Sequence, residues 1–483
     1  MRRWMTGVLL TPLLIAGCAV GPDYEQPALD LPEEWPDEVL LSEEDKEKDW
    51  TAWWQQFDDP HLDRLVLRAL DDNLDIRLQA QRIQESRARM GLADAERLPT
   101  IGAQAEATRQ RDPAAAQPEI AGFEPSASTD NLFSVTGQLA YELDLWGRLA
   151  SEQRAAQASL EESVFTHDAV RLNTIADVVA TYMDLRAAEQ SLRITERTLE
   201  SREETFKLEE IRLEEGETDE LTLRQARSEL DATLALLPQQ RQRVAQLENA
   251  LATLVGMSPR ELMADLDFGD RRLSEINLPD EVPEVLPSEL LQRRPDVRSA
   301  EAGLMAATAQ IGAAEAARFP SVNLTGFIGS AAMDTSDLFS SESETWGIGA
   351  SVMGPIFDFG RNKSRVQTAE ALAEQAETQY RVTVNQAFRE VRDALVVYEA
   401  TNERVQRLRD QVESLERTLE IAELRYEAGL IDFFTVQDTQ RVLLDAELTL
   451  TDAISQRLNA TATLFKAMGG GWEARDYAID EGS

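Results

Sequence analysis

Residues 132–143 alternate apolar and polar side chains. Phe133, Val135, Leu139, Tyr141 and Leu143 fall on one face of a strand, and Ser134, Thr136, Gln138 and Glu142 on the other. Such a strand suits lipid on one side and water on the other. Residues 346–356 repeat the pattern with Trp346, Ile348, Ala350, Val352 and Ile356. Each stretch follows a weaker partner, 100–108 or 321–328, across a loop rich in Pro, Ala, Ser or acidic residues. The pattern predicts two hairpins and four strands, and on its own it fits a small soluble sheet equally well.

A period near 3.6 takes over in the stretches 149–214 and 362–427, which contain no proline and are packed with Glu, Arg, Gln and Ala. Each spans 66 residues, which as continuous helix is about 100 Å at roughly 1.5 Å per residue. Each is followed by a glycine, Gly216 or Gly429, suited to a left-handed cap, and then by a returning helix, 221–255 or 434–468. Shorter helices are predicted at 62–98 and 288–319. Apolar positions in the long helices include many alanines, such as Ala155, Ala158, Ala371 and Ala373, which permit close packing over a broad face. A soluble coiled-coil rod fits these repeats too. Direct fusion of each helical hairpin to a candidate membrane strand favours a tube of packed helices continuous with a barrel.

The two halves are copies. Gly147 and Gly360, Gly216 and Gly429, and Gly256 and Gly469 all stand 213 residues apart. Upstream the offset is 221, carrying Asp75 onto Asp296, Gly91 onto Gly312, Arg97 onto Arg318 and Pro99 onto Pro320, so the first half has eight extra residues between Pro99 and Tyr141. Chance similarity between helices would not hold one register through such spacings. The expected organisation is a signal at 1–17, a linker at 18–60 and a first repeat at 61–256, with its β-hairpin at 100–143 and helical hairpin at 149–255. A connector at 257–287, a second repeat at 288–469 (β-hairpin 321–356, helical hairpin 362–468) and a tail at 470–483 follow. The connector and the tail, rich in Pro, Gly and acids, are expected to form a belt.

Arg2 and Arg3 precede a short apolar run that ends in Ile15-Ala16-Gly17-Cys18, which reads as a secretory signal. The ending resembles a bacterial lipobox, in which the cysteine receives a diacylglycerol, the signal is cut before it, and the new amino group is acylated. Cys18 is the only cysteine, so disulfides are excluded. Ala19 after it favours delivery to the outer membrane by the sorting rule for such lipoproteins. Loss of Arg2 and Arg3 with the signal takes the formal charge from −40 to −42, which makes nucleic acid an implausible partner. Lysine occurs only at Lys46, Lys48, Lys207, Lys363 and Lys466. This acidic, lysine-poor balance fits a saline habitat or a solvated helical surface.

After residue 17 no apolar stretch approaches the length of a membrane-spanning helix, so any crossing must use strands. Four strands cannot close a barrel, and an open edge facing lipid leaves backbone groups unsatisfied. Two chains would supply eight strands and three would supply twelve; the residues permit both. With only His61 and His167, no cysteine after Cys18, no glycine-rich phosphate loop and no clustered methionines, the parts for nucleophilic, metal or nucleotide chemistry are missing. The chain is expected to be neither an enzyme nor a cofactor protein.

Together these residues resemble the outer-membrane efflux proteins, or TolC-like outer membrane factors, in their NodT-type lipoprotein branch. The likeness is carried by residues 18–24 (CAVGPDY), 53–60 (WWQQFDDP), 141–148 (YELDLWGR), 293–297 (RRPDV) and 354–361 (GPIFDFGR), in order along nearly the whole mature chain. It implies a homotrimer, an α-helical barrel continuous with a shared twelve-stranded β-barrel, and passive conduction. The implied partners are outer-membrane lipid, a periplasmic adaptor (membrane fusion) protein and an inner-membrane pump, by expectation of the proton-driven resistance-nodulation-division type. Positions matching Phe434 and Asp438 form constricting rings in relatives, and those matching Arg425 and Tyr426 tie neighbouring hairpins shut. Phe434 and Asp438 lie four apart, on one helical face. The first-half copy has Leu221, Gln225 and Leu213 at the places of Phe434, Asp438 and Tyr426, so only the second hairpin carries the charged gate. Gly216, Thr218, Leu221, Gly429, Leu430 and Phe433 flank the turns and are the candidate adaptor contacts. An exit duct for protein secretion and a non-conducting envelope rod are the competing readings.

Overall fold

A computed structural model describes residues 20–32, 50–116, 127–264, 267–269, 271–278 and 287–471. Cys18, the proposed lipid site, lies outside the described residues. A 3-10 turn at Trp50–Phe57 is followed by α1 (Pro60–Asp72), α2 (Leu74–Glu96), β1 (Thr100–Asp112), β2 (Ser128–Leu143), α3 (Arg148–Glu214), α4 (Glu220–Leu254) and α5 (Pro259–Leu262). Next come α6 (Pro287–Arg293), α7 (Pro295–Ala316), β3 (Ser321–Ala332), β4 (Glu344–Met353), α8 (Arg361–Glu427) and α9 (Phe433–Ala467). The chain divides into two compact units: Met1–Ala28, Ile83–Glu162 and Ala300–Tyr380 form one, and Leu29–Arg82, Ser163–Ser299 and Arg381–Ser483 the other.

In the first unit the four strands make one antiparallel sheet in the order β1-β2-β3-β4. The two hairpins are joined by pairing of β2 with β3, with Leu139 opposite Gly326 and Tyr141 opposite Leu324. The register lines up the alternation of all four strands: Ile101 faces Leu139, and Val322 faces Val352. Ile101, Leu139, Ile328, Trp346, Ile348 and Val352 thus share one face, and each is well exposed. Strand β4 stops at Met353, three residues short of the predicted end, because Gly354-Pro355 follows and proline has no N–H for the ladder. Strand β2 starts at Ser128, earlier than the apolar alternation indicates.

The segment after the lipobox is strapped to the same unit. The Val20 amide donates to Trp146 O (3.1 Å), Asp23 meets Arg154 (3.5 Å), and the Tyr24 hydroxyl donates to Glu301 (3.0 Å). Gly21, at φ +129°, passes so close to Gly312 that a Cβ there would lie 2.4 Å from the Gly312 Cα.

The second unit shows the duplication in atomic detail. The predicted helices 62–98 and 288–319 are each broken, at Asn73 and Arg294, positions 221 residues apart. At these breaks the Asn73 side chain donates to Leu254 O (2.8 Å), and the Arg294 side chain to Ala467 O (3.1 Å), the matching carbonyls at the ends of α4 and α9. The second break is marked by Pro295, which disfavours helix at Arg294 and opens the next helix, and the first by Asn73, whose Oδ1 accepts from Asp75 N (2.9 Å) and Ile76 N (3.1 Å).

Trp53, Phe57, Leu62, Val66, Tyr182, Met183, Leu251 and Phe465 form the buried core, with Trp53 stacked on Phe465 at 5.3 Å. Beside them Asp59, 1% exposed, caps α1 by accepting from His61 N (2.9 Å) and accepts a hydrogen bond from the Tyr182 hydroxyl at 2.7 Å. Asp59→Ala is expected to cost roughly 2–4 kcal/mol, a lost cap plus an unpaired buried hydroxyl, read as a lowered midpoint of unfolding in detergent. Asp59→Asn should restore much of it.

Candidate channel gate

Both helical hairpins turn the same way. Gly216 (φ +75°) and Gly429 (φ +71°) sit in the left-handed region after α3 and α8. The Glu217 amide reaches Arg212 O at 2.8 Å, and the Leu430 amide reaches Arg425 O at 2.8 Å, closing matched helix-ending motifs. Asp219 and Asp432 then cap the returning helices, accepting from Thr222 N and Thr435 N.

Beside these turns the two hairpins are joined by a polar cluster. The Tyr426 hydroxyl donates to Glu209 Oε1 at 3.1 Å, and Arg212 Nη1 reaches the same oxygen at 3.1 Å. The Arg212 guanidinium also sits over the Tyr426 ring, 5.4 Å from its centre, and the Phe433 ring packs against Tyr426 with centroids 5.3 Å apart. The Glu209 side chain is 1% exposed, and its Oε2 is buried with no hydrogen-bond partner among the described residues. Burial, with the Glu209 carboxylate beside it, holds the Tyr426 hydroxyl above its ordinary range, so it stays protonated and donates.

Further contacts between the hairpins follow along α3 and α4. Arg197 pairs with Glu447, Arg243 lies 3.8 Å from Asp452, and Asp184 Oδ1 accepts from Ser455 (2.7 Å) and Asn459 (2.8 Å).

The neighbouring phenylalanines part company. Phe433 is 6% exposed and packs inside the tip, whereas Phe434 is 59% exposed. Its burial removes Phe433 from the surface expected to meet an adaptor. Gly216, Leu221, Gly429, Leu430 and Arg425 are exposed, and Thr218 is half-buried. Asp438, on the same face as Phe434, is not a bare acid: Arg441 one turn on reaches its Oδ1 at 2.5 Å.

Glu209, Arg212 and Arg441 escaped the sequence reading. Arg212 was within reach, because the 213-residue offset carries it onto Arg425. Glu209 was not, since Ala422 stands at its counterpart.

Among the described residues no helix is long and apolar enough to cross a membrane. A four-stranded sheet with one exposed apolar face, joined in sequence to two long helical hairpins, is the combination of parts that a channel of the bacterial outer membrane needs. The outer membrane efflux protein family model matches residues 65–257 and 286–470, and the chain belongs to that family. It is an outer-membrane efflux channel, and its family is one of ducts, not of enzymes. The chain is 34% identical over 468 residues to the solvent efflux pump outer membrane protein SrpC of Pseudomonas putida, covering 95% of this chain and 97% of SrpC. It is 30% identical over 464 residues to the probable outer membrane lipoprotein SilC of Salmonella typhimurium, covering 96% and 97%. The solved structure of the outer-membrane channel OprN is similar at a TM-score of 0.86 and 31% identity, covering 94% of this chain and all of that one.

Proposed function

We propose that three copies close one barrel of twelve strands, four from each, and form a passive exit duct anchored by a diacylglycerol and an N-acyl chain on Cys18. The observation that carries this reading is the sheet, whose apolar face requires lipid and whose open edges, β1 and β4, require partners. The word lipoprotein in the name of SilC supports the anchor. Of the connector and tail expected to form a belt, residues 265–266, 270, 279–286 and 472–483 lie outside the described residues.

The gate is the ring of hairpin tips. Phe434 supplies an apolar collar and Asp438 the charge at the constriction, while Tyr426, with Arg425 exposed beside it, locks the second hairpin to the first through Glu209 and Arg212. Gly216, Thr218, Leu221, Gly429 and Leu430 present the surface for a periplasmic adaptor, which links the duct to an inner-membrane pump of the resistance-nodulation-division type. Likeness to SrpC, named for a solvent efflux pump, supports solvents as cargo.

Native mass spectrometry of the full-length protein extracted from outer membranes in mild detergent tests this: a lipid-bearing trimer is expected, and a stable monomer or dimer overturns it. In planar bilayers, Arg441→Ala should raise cation preference several-fold by baring the Asp438 carboxylates, and Asp438→Asn in that background should abolish the gain. Unchanged selectivity in Arg441→Ala would remove Asp438 from the pore.

A further inference from the structure

Arg109 and Arg111 are the only basic residues in the four strands. The register sets both on the apolar face of the sheet: Arg109 is opposite Asn131 and Arg111 opposite Thr129, in step with Ile101 opposite Leu139 and Ala107 opposite Phe133. Four of the five acids in the strands, Glu106, Asp112, Asp130 and Glu142, take the other face. The fifth, Glu344, begins β4, at the edge of the sheet far from β1. Charge is therefore sorted by face, in a chain whose formal charge is −40. The strand itself does not need these bases, because the 221-residue offset carries Arg109 and Arg111 onto Ser330 and Ala332 in β3.

Both arginines stand at the end of the sheet away from the helices. β1 and β3 begin just after α2 and α7, and β2 and β4 end shortly before α3 and α8, so the opposite end carries Asp112, Ser128, Ala332 and Glu344. Counting up from Ile101, at about 3.3 Å per residue along a strand tilted by about 40°, Arg109 stands about 20 Å and Arg111 about 25 Å high. The outward apolar band of such a sheet is about 25 Å tall and is rimmed by aromatic residues. Tyr141 and Phe133, eight residues apart on this face of β2, fit the two rims, with Asn131 and Thr129 above them. The arginines thus leave hydrocarbon where headgroups begin. Each is exposed, and neither has an ion pair or a side-chain hydrogen bond among the described residues.

We propose that Arg109 and Arg111 bind the phosphate groups of a phosphorylated glycolipid of the outer leaflet, of the lipid A type. Two guanidiniums on one strand face, about 7 Å apart along the strand, offer paired donors that match phosphate oxygens and keep their charge at any working pH. Below them β1 presents only Ala107, Ala105 and Ala103 on this face, a smooth strip along which the acyl chains of the same lipid can lie. Each chain carries one such site, so a ring of three carries three. The site rests on the barrel reading above, which sends the far end of the sheet to the outer leaflet, and it names the lipid met there.

The test titrates diphosphorylated lipid A into the full-length protein in mild detergent and counts bound lipid by native mass spectrometry. Up to three lipids per trimer are expected. Arg109→Gln with Arg111→Gln should keep the trimer peak and weaken binding by roughly 25-fold, about 5-fold for each arginine. Arg109→Lys with Arg111→Lys keeps the charge without the planar fork, so its binding should fall between the two. Lipid A stripped of its phosphates should bind the unaltered protein as weakly as intact lipid A binds the glutamine variant, a comparison that decides the question even where that variant fails to assemble. Equal binding of intact and stripped lipid, or equal binding to the unaltered protein and the glutamine variant, would overturn the site and leave the trimer standing. Displacement of the lipid by inorganic phosphate at equal concentration would also overturn it, as the mark of a simple anion site. Absence of trimers in the unaltered protein would overturn the barrel reading on which the site rests.

Discussion

Tyr426→Phe should release the tip. Removing the hydroxyl leaves the buried Glu209 carboxylate with Arg212 alone, and an unmade bond to a buried group costs roughly 1–3 kcal/mol. At one lock that shifts the balance of closed and open tips by roughly 5- to 150-fold. Single-channel recording in planar bilayers should show openings more frequent by that order, with open-state conductance unchanged. Glu209→Ala should do more, because it strips Arg212 of its carboxylate as well.

The lock has a pH signature whose sign follows from the Tyr426 hydroxyl. Its pKa in the folded tip is raised above the ordinary 10.0, by burial first and by Glu209 second. Its contribution is therefore fully present below about pH 10 and is lost as the pH climbs from there toward the raised value. Openings should be insensitive to this group through neutral pH and become more frequent above about pH 10, and the rise should vanish in Tyr426→Phe. An unchanged closed state in both Tyr426→Phe and Glu209→Ala would show that the cluster is packing alone.

Alanine at four matched glycines should divide them into two classes. Gly256 and Gly469 (φ +71° and +76°) lie against backbone: a Cβ on Gly256 would stand 2.3 Å from Asp72 O, and one on Gly469 2.7 Å from Arg293 O. Strain in the left-handed region adds to a clash that no side chain can relieve, so Gly256→Ala and Gly469→Ala should each cost more than about 4 kcal/mol and abolish accumulation in the outer membrane. Gly216 and Gly429 have nearly the same φ with nothing within 4 Å, so alanine there meets only the backbone term of about 1–2 kcal/mol. Folded protein should persist, and any loss of export would then come from the tip surface. Western blots of outer-membrane fractions, read beside an export assay, separate the classes; equal loss at all four positions would show that conformation alone decides.

The fold class was legible because its two solvents write different periods. Lipid on one side and water on the other impose the alternation of 133–143, and a continuous helical wall excludes proline from 149–214. The internal repeat was legible because left-handed glycines admit few substitutes. What the chain kept hidden is what two distant segments do jointly. Glu209 is one of many acids on a helix until Tyr426, 217 residues away, meets it. Phe433 and Phe434 are adjacent in sequence, and only packing against Tyr426 sends one inward. Asn73 ties its helix break to the Leu254 carbonyl 181 residues off, a bond no local window contains, whereas Pro295 marks the matching break at Arg294 in the sequence itself.

The offset that carries Tyr426 onto Leu213 and Glu209 onto Ala422 leaves the polar lock with no twin. A ring of three chains has six gaps between hairpins, three inside chains and three between them. If the lock occupies only the first kind, the second keeps Arg425 in the place of Arg212 but has Leu213 and Ala422 in the places of Tyr426 and Glu209. Ionic strength and alkali then act on alternate gaps, and temperature, through the hydrophobic contacts, acts on the others. In the trimer proposed above, the aperture would accordingly widen with threefold and not sixfold symmetry, each chain's two hairpins swinging as one leaf for as long as its lock holds.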